Sequence, residues 1–129
     1  MTRSLKRLRI AHKKLSHTNL TDMPKIRQII DCNLTHSSME STGHLHLTIK
    51  HSDLTHINLK KSRLIQAKII HTNLETANMN FSSLLHGSIY RCNLRNALLE
   101  CASLRSSVIN ESDLSGASLR WANLDGVMF

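Results

Sequence analysis

Residues 71–94, HTNLETANMNFSSLLHGSIYRCNL, set a large apolar side chain at Leu74, Met79, Leu84, Ile89 and Leu94, one at every fifth position. The same beat runs outward in both directions, from Leu34 to Phe129, and only His44 breaks it. An α-helix repeats at about 3.6 residues and a strand at about 2, so a period of five requires a chain that turns at regular intervals. Two residues before each large position stands a mostly small one, such as Cys32, Thr72, Ala77, Ser82 and Gly87, with Leu47, Ile57 and Val127 departing from the rule. Large side chains would fill an axis while small ones let each corner close.

A period of twenty is superimposed on the five. DCNL (31–34), HSDL (51–54), HTNL (71–74), RCNL (91–94) and ESDL (111–114) share one phase. Four five-residue units therefore make one coil, and equivalent positions stack into ladders. One inward ladder is Leu34, Leu54, Leu74, Leu94 and Leu114, and another is Ile49, Ile69, Ile89 and Ile109. The fold class this predicts is an all-β solenoid of about five coils, each bonding its backbone to the coils above and below.

At the motifs CNL, SDL, TNL, ANM and ANL the chain resembles the pentapeptide-repeat family, whose consensus is a small residue, Asp or Asn, Leu and two variable residues. The resemblance covers about three quarters of the chain and implies a right-handed quadrilateral β-helix. Such a repeat marks an architecture, on which function is carried by particular sites.

The net charge is +8, and its distribution divides the chain. Residues 1–30 hold eight basic side chains and one acidic, whereas residues 31–129 hold nine and eight. The expected organisation is a basic N-terminal cap segment, 1–30, followed by the repeat helix, 31–129. Leu5, Ile10, Leu15 and Leu20 keep the beat, but Leu20 to Ile29 spans nine residues, and Lys13 would fall in a small inward slot. The only proline, Pro24, lies in between, followed by Ile26, Ile29 and Ile30 at helical spacing. Two structures fit, a degenerate first coil or a short helix over the open end, each with a break at residues 21–25. As a basic arm, Arg3, Lys6, Arg7, Arg9, Lys13 and Lys14 would meet nucleic-acid phosphate or an anionic membrane, although aromatic residues to stack on bases are absent.

Six of the nine histidines, His36, His46, His51, His56, His71 and His86, fall two residues after a large slot, at an outward corner. His36 with His56, and His51 with His71, should stack about 5 Å apart. Asp31, His51 and His71 form a row with ligand chemistry, set against the plainer reading of solvated corners. His44 takes an inward slot. Cys32 and Cys92 read as packing residues about 14 Å apart, too far for a disulfide, and Cys101 as an outward free thiol.

No nucleophile elbow, phosphate-cradling loop or paired carboxylates occur, and a filled axis leaves no pocket for a small-molecule substrate. A non-enzymatic chain with no cofactor is expected. No apolar run reaches transmembrane length and no signal peptide is evident, so a cytoplasmic, bacterial protein is expected. The first functional reading is a scaffold that binds another protein through its flat sides. Family resemblance adds two alternatives: a mimic of duplex DNA that binds gyrase, which needs an acidic surface, or a stand-alone fragment of a secreted bacterial effector. The C-terminal end, which stops at Phe129 inside the repeat phase with Trp121, Val127 and Met128 close by and no polar cap, predicts end-to-end homodimerisation or truncation from a longer chain.

Overall fold

The computed structural model describes residues 8–129 and contains six short parallel strands, β1 (Leu8–Ala11), β2 (Ile26–Ile30), β3 (Thr48–Lys50), β4 (Lys68–Ile70), β5 (Ser88–Tyr90) and β6 (Val108–Asn110). They form one sheet in chain order, in which Ile29, Ile49, Ile69, Ile89 and Ile109 stand in register. Parallel neighbours need a crossover between them. Here each crossover is the other three sides of a coil, marked by single bridges such as Asn33–Asp53, Ser38–Asn58 and Gly43–Arg63. Five turns of a four-sided solenoid thus separate β1 from β6. We number the sides by these bridges as first, second and third, with the strand sheet as the fourth.

The corners explain the period. The Leu34 carbonyl accepts the Ser37 N–H at 3.1 Å, and Leu54 and Leu74 do the same for Ile57 and Ala77. The third residue of each turn has positive φ, 58° at His36, 59° at His56 and 57° at Thr76, which is type II geometry. Such positions favour glycine, yet among the described residues glycine fills only the corners at 116 and 126. Where a further coil follows, it holds the others in place: the His36 N–H donates to Thr55 at 3.0 Å and the Thr76 N–H to Arg95 at 2.9 Å. The Asp/Asn preference has its own cause. Asn33, Asn73 and Asn93 each accept, through the side-chain oxygen, the N–H two residues on at 3.0 Å, closing an Asx turn across the corner.

Large and small slots both face the axis. Leu34, Leu54, Leu74, Leu94, Ile49, Ile69, Ile89 and Ile109 are buried, whereas Leu114, in the last coil, is half-buried. In the coils between the first and the last the small slot is also sealed, and several of its hydroxyls bond the backbone of their own coil or the preceding one. Ser82 and Ser107 donate to Met79 and Leu104, and Ser37 reaches Leu15, each at 2.6 Å, whereas the Ser62 hydroxyl is buried with no partner among the described residues. Cys32 and Cys92 are buried free thiols, and burial raises the pKa of Cys92.

Residues 8–30 form a first coil that is one residue short. Ile10 pairs with Ile29, Lys14 with Asn33 and Asn19 with Ser38, each at a separation of 19. The helix alternative is therefore overturned: residues 26–30 are extended. The spacing of Ile26 and Ile29 arises because Leu8 pairs with Ile26 and Arg9 with Gln28, leaving Arg27 as a bulge that turns both isoleucines inward. Lys13 does not enter the axis but stays exposed. The deficit is taken up on the third side, where no bridge joins residues 21–25 to Gly43. His44 fills the gap. Its ring is 1% exposed, and its Nδ1 accepts the Ile26 N–H at 2.9 Å. The proton of the neutral ring is therefore on Nε2, which is buried with no partner among the described residues. Burial, and then the charge of Lys25, push the His44 pKa down.

Three measurements test this account. Leu74→Ala should cost about 2–5 kcal/mol in urea unfolding, as for other fully buried leucines. Gln66→Gly, at a corner with φ 59°, should be neutral or stabilise by up to about 1 kcal/mol, because relief of left-handed strain outweighs added chain entropy. For His44 the folded pKa lies below the unfolded value of about 6.5, so its contribution is complete above that pH and is lost as pH falls towards the folded value. Unfolding midpoints of wild type and His44→Leu, compared between about pH 7.5 and 5, should show a smaller acid-side decline in the variant; parallel curves would refute the assignment.

Candidate interaction surface

With the axis filled, the chemistry available to a partner lies on the outward positions and corners. Eight of the nine histidines stand at corners with positive φ, from His12 at 56° to His86 at 56°. Histidine tolerates this conformation better than most side chains, so the histidine excess has a structural origin. Stacking follows from the coil repeat. His17, His36 and His56 form one column with ring centroids 4.8 and 4.6 Å apart, and His51 and His71 lie 5.2 Å apart in another. The first column ends where Thr76 Oγ1 meets His56 Nδ1 at 2.6 Å. His17 joins its column, and His12 its own, at a separation of nineteen rather than twenty.

The second column runs His12, Asp31, His51, His71, Arg91, Glu111. Asp31 is bonded to His12 Nδ1 at 2.8 Å, and Arg91 pairs with Glu111 through a hydrogen bond that lowers the carboxyl pKa and raises that of the guanidinium. The row Asp31, His51, His71 borders a shallow open groove of about 630 Å³. Among the described residues no three His, Cys, Asp or Glu side chains gather as metal ligands.

Charge is sorted by side. Glu40, Asp53, Glu75, Glu100, Glu111 and Asp113 lie on the first two sides and their corners, interleaved with Lys60, Lys61, Arg91, Arg95 and Arg120. Asp113 is held low in pKa first by two bonds from Ser115 and then by Arg95. The third and fourth sides of the four middle coils, from residue 42 to 50, 62 to 70, 82 to 90 and 102 to 110, carry Lys50, Arg63, Lys68 and Arg105 and no carboxylate, while Asp22 and Asp125 lie on the equivalent segments of the first and last coils. Lys25 and Arg27 extend this surface into the first coil, where Arg27 donates to the Leu45 carbonyl at 2.7 Å. Two hollows flank that bond. One, of about 280 Å³, is lined by Lys25, Gly43, His44, Leu45, Arg63 and Ile65; the other, of about 510 Å³, by Leu8, Arg9, Arg27, Gln28, His46 and Thr48.

Of the basic residues singled out by sequence, Arg9 lies in β1 beside the second hollow, Lys13 and Lys14 are exposed on the first coil, and Arg3, Lys6 and Arg7 lie outside the described residues. At the other end Trp121, Met128 and Phe129 are 74%, 66% and 71% exposed. Phe81, Leu98 and the exposed Cys101 continue that apolar surface up the second side, and Arg120 lies over the Trp121 ring at 4.6 Å. Linear reading missed the basic hollows. Sorting outward residues by side, together with the nine-residue step from Leu20 to Ile29, is the signal that would have found them.

Comparison with known proteins supports the fold reading. QnrB1, a plasmid-mediated fluoroquinolone resistance protein, superposes with a TM-score of 0.54 at 14% identity, over 94% of this chain and 70% of its own. Rfr23, a pentapeptide repeat protein from the cyanobacterium Cyanothece 51142, aligns at 22% identity and a TM-score of 0.48, over 95% and 80% of the two chains. A pentapeptide repeat protein from the Arabidopsis thaliana thylakoid lumen aligns at 16% identity and 0.49, over 89% and 63%. No curated protein matches the sequence. The family model for pentapeptide repeats matches eight copies over residues 48–80 and 88–126. With more than half of its length matched, and with the corners, ladders and filled axis described above, the chain belongs to the pentapeptide-repeat family.

Proposed function

We propose that this protein is a non-enzymatic scaffold that binds another protein through the outer surface of a rigid solenoid. The observation that carries the reading is the sorting of that surface: the interior is filled, while the third and fourth sides over residues 42–50 and 62–70 carry cations without carboxylates, and large apolar side chains are exposed near the C-terminal end. Exposed aromatic and apolar clusters of this kind mark protein contacts. The alternative of a duplex-DNA mimic that binds gyrase is weaker, because the carboxylates of the first two sides alternate with cations and several are paired, as in Arg91–Glu111 and Arg95–Asp113. Three free thiols fit the reducing cytoplasm, and among the described residues no helix is long and apolar enough to cross a membrane.

Self-association through the last coil is part of the same proposal, with Trp121, Met128 and Phe129 at its centre. Sedimentation equilibrium should give a dimer for wild type and a monomer for Phe129→Asp; a wild-type monomer at high concentration refutes it. Affinity capture from source-cell lysate in moderate salt tests the scaffold. Specific retention of a protein other than the bait is expected. Recovery of a topoisomerase would restore the mimic reading, and retention of nothing would overturn both.

A further inference from the structure

The first coil leaves an opening on the third side that no other coil has. Elsewhere on this side the backbone is satisfied upward: the Arg63 N–H donates to Thr42 at 2.7 Å and the Arg63 carbonyl accepts from His44 at 3.0 Å. The equivalent groups one coil earlier belong to Gly43. Neither its N–H nor its carbonyl has a backbone partner among the described residues, because the short first coil forms no bridge there. Pro24, in the segment that would have supplied the strand, has no N–H to give. An unpaired donor and acceptor at strand spacing thus open into the smaller hollow, between the exposed cations Lys25 and Arg63. The Arg63 guanidinium stands over Gly43, where a Cβ would meet it at 3.3 Å. Leu45, which is 42% exposed, and Ile65 supply an apolar floor.

We propose that this opening binds an extended acidic segment of the partner protein, its backbone pairing with Gly43 and its carboxylates meeting Lys25 and Arg63. The inference rests on the scaffold reading and names the chemistry of its partner. Three features favour a peptide over nucleic acid. A free carbonyl needs a donor, which a peptide N–H supplies and a phosphate does not. The lining contains apolar side chains and no Phe, Tyr or Trp, and its one aromatic ring, the His44 imidazole, is buried and closed to a stacking base. The cations here and in the neighbouring hollow are mainly arginines, which pair with carboxylates in forked geometry and recur at protein interfaces. With no carboxylate in either hollow, the field attracts acidic chains and repels basic ones.

The probe is a short fluorescein-labelled peptide alternating glutamate and valine, with blocked ends, titrated with the full chain and followed by anisotropy at low and moderate salt. Wild type should bind it in a salt-sensitive manner. The double variant Lys25→Glu, Arg63→Glu should bind roughly tenfold more weakly or worse, whereas Lys60→Glu, Lys61→Glu, an equal charge change on the second side and its corner, should bind within about twofold of wild type. Far-ultraviolet circular dichroism checks that the variants fold. A backbone N-methylated peptide tests pairing on the unaltered protein and should bind several-fold more weakly. Equal binding by the double variant, equal binding of the N-methylated peptide, or tighter binding of a single-stranded oligonucleotide of matched charge would each overturn the proposal. If the double variant captures the same protein from lysate as wild type, this site is refuted while the scaffold reading stands. Absence of any captured protein refutes the scaffold instead.

Discussion

Everything in this molecule depends on a corner that a single coil cannot hold by itself. A left-handed residue stands at each turn, and for side chains other than glycine that conformation costs roughly 1–2 kcal/mol. The chain accepts this cost at twenty described non-glycine positions. What offsets it is the ladder between coils: the N–H of the corner residue donates to the next coil, as His56 does to Glu75 at 3.1 Å. The corner makes the coil, and the neighbouring coil makes the corner. Stability is therefore collective along the rod, as expected when each repeat contacts only its neighbours.

This coupling explains which parts of the sequence were legible. The large slot, the small slot and the Asp/Asn slot are all read by the same local geometry in every coil, so their pattern appears directly as period five. Leu54, Ala77 and Asn73 serve the axis, the closed corner and the Asx turn respectively, and each chemistry recurs where its geometry recurs. Outward residues answer to no such repeat. Lys25, Arg63 and Leu45 are far apart in sequence and carry no shared motif; they meet because a coil of twenty residues brings them to one side. Histidine carried two readings in sequence, a ligand row and solvated corners; positive φ at eight of the nine gives the corner reading a physical cause, and Asp31 is engaged by His12.

The first coil shows why a one-residue deficit was harder to interpret than a motif. Nine residues between Leu20 and Ile29 break the phase, and linear spacing then made Ile26 and Ile29 look helical. In three dimensions the deficit is divided between a bulge at Arg27 and a missing bridge on the third side. His44 belongs to the same adjustment. A leucine there would leave the Ile26 N–H without its acceptor, whereas the neutral imidazole supplies one at 2.9 Å and is small enough for the axis. The only violation of the large-slot rule between Leu34 and Phe129 and the one side without a bridge among the described residues thus meet in the same contact, His44 with Ile26.

That cause also separates the two ends of the rod in chemical character. A complete coil covers the backbone groups of the one beneath it, so within the stack fresh hydrogen-bonding edge is exposed only where a side is missing. At the first coil the missing side lies among cations and uncovers polar backbone, which favours a partner that is charged and extended. At the last coil all four sides are present; the N–H groups of Leu114, Leu119 and Leu124 on its outer edge have no backbone partner among the described residues, and near them stand the exposed Trp121, Met128 and Phe129, which favour an apolar contact. One periodic scaffold therefore presents two unlike surfaces, and the opening at the first of them traces to a single residue absent from the first turn.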